Sequence, residues 1–405
     1  MLPLVIKKIG HAHDWLLRNL ARETTSGTFI PEMDGLRFVA ITLVVLFHLN
    51  GYLVAKWPQH HSGMLDQSGW LAQMASVGFR GVELFFVISG FILALPFATH
   101  RLAGGPVVNL RKYYLRRLTR LEPPYFVTVL VLLVIAVWAQ GETITDLLPR
   151  LSASLLYLHN VIYGHASPII GVAWSLEIEV QFYSLVPLLT LLFAVPRKGL
   201  RRSLLIAMII AFSAAQNFFL RDARMALSIL AYMQYFLAGF LVADLFVADW
   251  KPDRRSGFYW DAITLIGWPG LIALLQSDQL TRWLFPFLIL LLYCAALQGT
   301  LTRRCFSAPW ITAIGGMCYS IYLIHYEVIS VVGRFTKNLG AGQPFWMYFL
   351  LQFFLVGGAV VAVCGCYFLL LEKPCMRRDW PQRLHNYVRS LFYAGRRAAE
   401  VSPAA

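Results

Sequence analysis

Residues 36–55 read LRFVAITLVVLFHLNGYLVA, twenty positions whose only charged or imidazole side chains are Arg37 and His48. A helix of that length rises about 30 Å, the thickness of a bilayer's hydrocarbon core. Nine further apolar stretches follow, at 78–98, 122–140, 173–195, 203–220, 225–247, 260–276, 282–299, 310–332 and 346–371. Backbone groups in lipid must be satisfied within their own segment, so helices are the expected answer. The reading is an all-α integral membrane protein, a polytopic bundle of about ten transmembrane helices. Pro187, Gly239, Trp268-Pro269-Gly270 and Gly315-Gly316 interrupt several stretches. A bundle tolerates this because neighbouring helices can satisfy freed backbone groups.

Composition agrees. The chain of 405 residues is 58% hydrophobic and 14% charged, against about 25% charged in soluble domains. That excludes an ordinary soluble globule, a disordered tail and a disulfide-stapled module. The net charge of +14 would suggest nucleic acid in a soluble protein; here it reads as an asymmetry between membrane faces, with no nucleic-acid partner. With the N-terminus cytoplasmic, inner segments carry 26 Lys and Arg and outer ones 8. This positive-inside pattern puts both termini in the cytoplasm. A further span at 147–163 would move the later basic loops outside, so that segment reads as an interfacial or re-entrant helix on the outer face.

Residues 1–33 read as a cytoplasmic or interfacial basic segment, with 4–22 an amphipathic helix on the anionic inner leaflet. Residues 34–372 form the transmembrane domain and 373–405 a basic cytoplasmic tail. No cleavable signal peptide is expected. The six cysteines lack zinc spacing and read as packing residues.

Ionisable groups within spans are costly and are functional candidates by default. Arg37 and His48 are eleven residues apart, which returns to within about 20° of the same helix face and separates them by about 16 Å. Counted from span ends, His48, Glu83, Glu179 and His325 all lie roughly 8–11 Å below the outer boundary. Each alone also fits a hydrogen-bonded structural histidine or an ion pair that fixes packing. Their shared depth favours a reaction or transport centre. On the inner side, NLRKYYLRRLTRLEPPYF (109–126) puts Arg117 and Arg120 on one helix face just before Pro123-Pro124, which should end the turn. Such a cluster suits either lipid headgroups or a phosphorylated ligand. The chain has no Walker loop and no G-x-G-x-x-G, which argues against ATP or a Rossmann-bound dinucleotide.

Six motifs in order, DGLRFVAITLVVLFH (34–48), GVELFFVISGFIL (81–93), RRLTRLEPPY (116–125), WSLEIEVQFYSLVPLL (174–189), YSIYLIH (319–325) and LEKP (371–374), carry a family likeness. The chain resembles the integral-membrane acyltransferase family 3, of the O-antigen and exopolysaccharide O-acyltransferase type, over about residues 31–378. The resemblance implies transfer of an acyl group, usually acetyl, from cytoplasmic acyl-CoA to a carbohydrate hydroxyl at the outer face of a bacterial inner membrane. It implies acyl-CoA as co-substrate and no permanently bound cofactor. By motif position His48 matches the catalytic histidine and Arg37 its partner in the R-x10-H pattern. Arg117 and Arg120 match the donor-side R-x-x-R pair, and Glu179 the first glutamate of W-S-L-x-x-E. Tyr183 and His325 join Arg37, Arg117 and Arg120 as substrate- or donor-binding candidates. Glu83 stands where Asp is commoner, Val180 replaces the usual second glutamate, and Glu177 is an added acid.

On this reading His48 is the general base or, failing that, the acyl acceptor. Glu83 or Glu179 holds its tautomer, and His325 orients groups or binds acceptor. The competing class is a proton-coupled secondary transporter, against which the two halves show no obvious repeat.

Overall fold

The computed structural model describes residues 13–23, 29–56, 70–220, 222–250, 257–274, 278–340, 342–377, and positions 379, 380, 382, 383, 386 and 389. Most of the predicted N-terminal segment and basic tail lies outside these. The described residues form helices and turns, without strands.

The chain enters through α1 (Pro31–Lys56) and, after a short helix and a 3-10 turn, α2 (Gly81–Ala103). Then come α3 (Leu110–Gln140), the short α4 (Ile144–Leu155) and α5 (His159–Tyr163), α6 (Trp174–Leu189) and α7 (Lys198–Phe218). The second half holds α8 (Met233–Ala248), α9 (Phe258–Leu274), α10 (Asp278–Gln298), α11 (Thr300–Phe306), α12 (Pro309–Gly316), α13 (Cys318–Thr336) and α14 (Phe345–Tyr367). Six of the ten predicted spans are helices long and apolar enough to cross a membrane, and eight if two bent pairs count as one span each. The remaining two are shorter. The stretch 225–247 breaks at residues 227–232 and continues as the 16-residue α8, and α9 has 17 residues. Helix α8 can be short because protein surrounds it: every residue from Met233 to Asp244 is buried. Residues 147–163 fall in helices of 12 and 5 residues, too short to span.

Pro123 and Pro124 do not end the turn as the sequence predicts; α3 runs through both for 31 residues. Tyrosines from neighbouring helices tie this stretch to the bundle. Tyr319 donates to Leu121 O at 2.8 Å and Tyr367 to Pro124 O at 2.7 Å. Arg117 and Arg120 therefore ride on the helix of the third span, fixed relative to the bundle.

Two close approaches set the packing. Helix α2 lies against α8 at Gly90 and Gly239. A Cβ at Gly90 would fall 2.2 Å from Phe236 O, and one at Gly239 2.3 Å from Val87 O. Without a hydrophobic drive between helices in lipid, such small-residue contacts let backbones meet. The second is the bend of 72° between α12 and α13. Here a Cβ on Gly315 would sit 1.8 Å from Asp34 O at the start of α1.

Buried carboxylates pair along a consistent pattern. Arg303 bonds Glu32 at 2.9 Å, Arg202 bonds Asp244 at 2.6 Å, and Arg120 lies 3.6 Å from Glu372. Among the described residues every ion pair joins positions the sequence assigns to the same membrane face.

Gly239→Leu should force α2 and α8 apart and cost at least about 1–3 kcal/mol, as overpacking does. Gly270→Ala, whose Cβ would meet nothing within 4 Å, is the matched control. Size-exclusion profiles after heating in detergent should show early loss for the first and wild-type behaviour for the second.

Candidate active site

Helix α13 buries His325 completely. Its Nδ1 lies 2.8 Å from Ile321 O and 2.9 Å from Tyr322 O, both of which can only accept. The proton therefore sits on Nδ1, and Nε2 is left as an acceptor. Nε2 lies 3.0 Å from His48 Nδ1 on α1, so His48 donates from Nδ1, a proton it also directs at Val44 O at 3.0 Å. The lone pair of neutral His48 then resides on Nε2. One histidine thus fixes the tautomer of the other. Phe47 and Tyr326 flank the His48 ring edge-on, at 5.2 and 5.5 Å. His48 itself is half-buried and Tyr326 is exposed, which leaves the pair approachable from that side.

A cleft of about 820 Å³ opens between α1, α2, α3, α6 and α13. Five residues singled out in the sequence line it: Arg37, Arg117, Arg120, Glu179 and Tyr183. Each is held. Asp34, one turn before Arg37, accepts from its guanidinium. Glu372 anchors Arg120 and is itself fixed by Ser320, whose amide and hydroxyl donate at 3.0 and 2.6 Å. Arg117 lies 6.0 Å from the centre of the Tyr183 ring, at the limit of cation–π contact. Glu179 Oε1 accepts from Ser89 Oγ at 2.6 Å and from Tyr183 OH at 2.7 Å. Tyr322 closes the wall, receiving Leu176 N–H at 3.2 Å and lying 2.9 Å from Ser175 Oγ. The His325 pair stands one turn further along α13.

Two predicted placements change. Glu179 faces the cleft with Arg37 and Arg117, and His48 hydrogen-bonds Val44 O and His325. Glu83 pairs with Arg80 at 2.8 Å, beside Tyr235. The side chain that meets His48 is therefore His325, where a carboxylate was expected. Helical counting gave the depth of these acids and not the direction in which α2 and α6 turn them.

Asp34 and Glu372 were the supporting residues that sequence reasoning left without a role. Asp34 was legible as the i, i+3 partner of Arg37, and Glu372 as an acid at the end of a span. Among the described residues no group of three His, Cys, Asp or Glu side chains could hold a metal ion.

Residues 30–370 match the family of the acyltransferase domain, type 3. A provisionally named O-acetyltransferase of Staphylococcus aureus strain COL is 27% identical over 359 residues, covering 80% of this chain and 54% of that protein. The O-acetyltransferase OatA of S. aureus strain NCTC 8325 is 26% identical over 357 residues, with the same coverage. The peptidoglycan O-acetyltransferase OatA of Listeria monocytogenes is 31% identical over 179 residues, 42% of this chain and 25% of that protein. The chain spans about half the length of the S. aureus relatives it matches. No solved structure shows a significant match. With its domain matched over residues 30–370, the chain belongs to the membrane acyltransferase family 3.

Proposed function

We propose that this chain transfers an acetyl group from acyl-CoA, bound in the arginine-lined cleft, to a carbohydrate hydroxyl delivered at His48. One observation carries the reading: α1 serves both ends, with Arg37 in the cleft wall and His48 about 16 Å further along the same face. Guanidinium forks match phosphate oxygens, and three of them line the cleft. The nucleotide phosphates sit at Arg117 and Arg120, and the pantetheine arm runs along α1 toward the histidines. His48 Nε2 removes the proton of the acceptor hydroxyl while its oxygen attacks the thioester carbonyl. The C–S bond breaks and the CoA thiolate takes that proton from the imidazolium. His325 acts through His48 and is a positioning residue. The relatives' names favour an O-acetyl ester as product, and that of the Listeria protein favours a cell-wall glycan as acceptor. The basic end faces the cytoplasm of a bacterial inner membrane, where acyl-CoA is made, and the histidine end faces outward. Membership of an acyltransferase family disfavours the transporter reading of the intramembrane histidines.

Purified protein supplied with acetyl-labelled acetyl-CoA and a glycan acceptor should place label in an alkali-labile ester; substrate movement without modification would mean a transporter. His48→Ala should lower the rate by about 10²–10⁴-fold at unchanged membrane abundance. A variant that keeps most of its rate would remove His48 from the chemistry. Arg120→Ala should mainly raise the acetyl-CoA concentration needed for half-maximal rate. Reporter fusions at residues 110 and 250 should both read cytoplasm, and an external signal at either would refute the orientation.

A further inference from the structure

The matched acyltransferase region begins at residue 30, yet the stretch 13–23 ahead of it is docked on the bundle. Leu20 is buried against Gly365 of α14. Lys373 Nζ donates to Asn19 O at 2.5 Å, and Arg377 lies 3.4 Å from Glu23. Trp310 Nε1–H donates to His13 Nε2 at 2.9 Å. Gly316 makes room for the strap, since a Cβ there would come within 3.2 Å of Arg22 Cβ. The described part of the expected amphipathic helix, helical over residues 13–20, thus forms a strap across α12, α14 and the end of the last span.

The strap delivers Arg22 into the arginine cluster. Its Nη1 lies 3.4 Å from Asp34 Oδ1, the same oxygen that holds Arg37. Its charge also acts on Arg120, Arg37 and Glu372. Four guanidinium groups (Arg22, Arg37, Arg117, Arg120) therefore gather around three carboxylates: Asp34, Glu372 and Glu179. Glu179 is already engaged by two hydroxyls. Arg22 Nε and Arg120 Nε are buried and make no hydrogen bond, and Glu372 Oε1 accepts none. Buried cationic N–H groups without acceptors are expensive, and an anion that reached them would relieve that cost.

We propose that Arg22 is a further donor-binding residue, placed by the strap to contact a phosphate of the acyl-CoA donor alongside Arg120. This rests on the acyl-CoA reading above and assigns to that site a residue outside the matched family region.

The test compares acetyl-CoA with acetyl-pantetheine, which has the same thioester and no phosphate. Arg22→Gln should raise KM for acetyl-CoA roughly tenfold, as expected for loss of one charge-assisted hydrogen bond, with kcat held and acetyl-pantetheine turnover unchanged. Inhibition by the nucleotide portion of the donor should weaken by a similar factor. Arg22→Lys, which keeps the charge, should show a smaller rise in KM and decides the matter if Arg22→Gln does not accumulate. Arg18→Gln, an exposed arginine on the same strap, should match wild type. Equal losses with both donors would make Arg22 structural, and no change with either would make it irrelevant; each result overturns the proposal while leaving the donor reading intact. Wild-type protein indifferent to acetyl-CoA would overturn both.

Discussion

The carboxylate of Asp34 is the contact on which the rest depends. It is buried at the first turn of α1, where one oxygen meets the guanidinium groups of Arg37 and Arg22. Its backbone carbonyl is pressed against Gly315 at the bend before α13. One residue thus sets the start of α1, the direction of the arginine that lines the cleft, and the distance between α1 and α13. The last matters most, because α13 carries the histidine that meets His48. Replacing such a buried carboxylate leaves two cations without their counter-charge, a situation far more costly than loss of the pair as a whole.

Much of this fold was legible in the sequence for a simple reason. A bilayer imposes a length and a polarity on every segment that crosses it, and both can be counted. The helices that departed from the count did so where protein replaces lipid as the environment. Helix α8 is short and broken at its start because α2 and other helices enclose it. Helix α3 runs through Pro123 and Pro124 where Tyr319 and Tyr367, distant in sequence, donate to carbonyls beside them. Neither condition is local, so neither is written in the segment itself.

The site was legible in depth and less so in direction. Arg37, Arg117, Arg120, Glu179 and Tyr183 line one cleft, as residues of a common site would. Glu83 turned elsewhere, toward Arg80. The azimuth of a side chain depends on how its helix is rotated, and in α2 that rotation is dictated by Gly90 meeting the α8 backbone. The imidazole pair was the least predictable feature. Two histidines 277 positions apart become partners only through the packing of α13 on α1, and a carboxylate was the more ordinary expectation.

The two ends of the site solve opposite electrostatic problems. On the proposed reading the histidine end needs a base that stays neutral until its substrate arrives, and a neutral partner is better suited to that than a carboxylate, which would favour the imidazolium beforehand. His325 fixes the tautomer through backbone carbonyls without adding a charge. At the arginines, positive charge is gathered in excess, and two of its carboxylate partners, Asp34 and Glu372, are themselves buried. Such a cluster is stabilised when a polyanion enters and becomes less favourable when it leaves, so occupancy and local order should rise together. A strap that contributes one of the four cations is tied to the bundle by backbone and apolar contacts besides. Its docking on the bundle therefore does not depend on the arginine cluster alone.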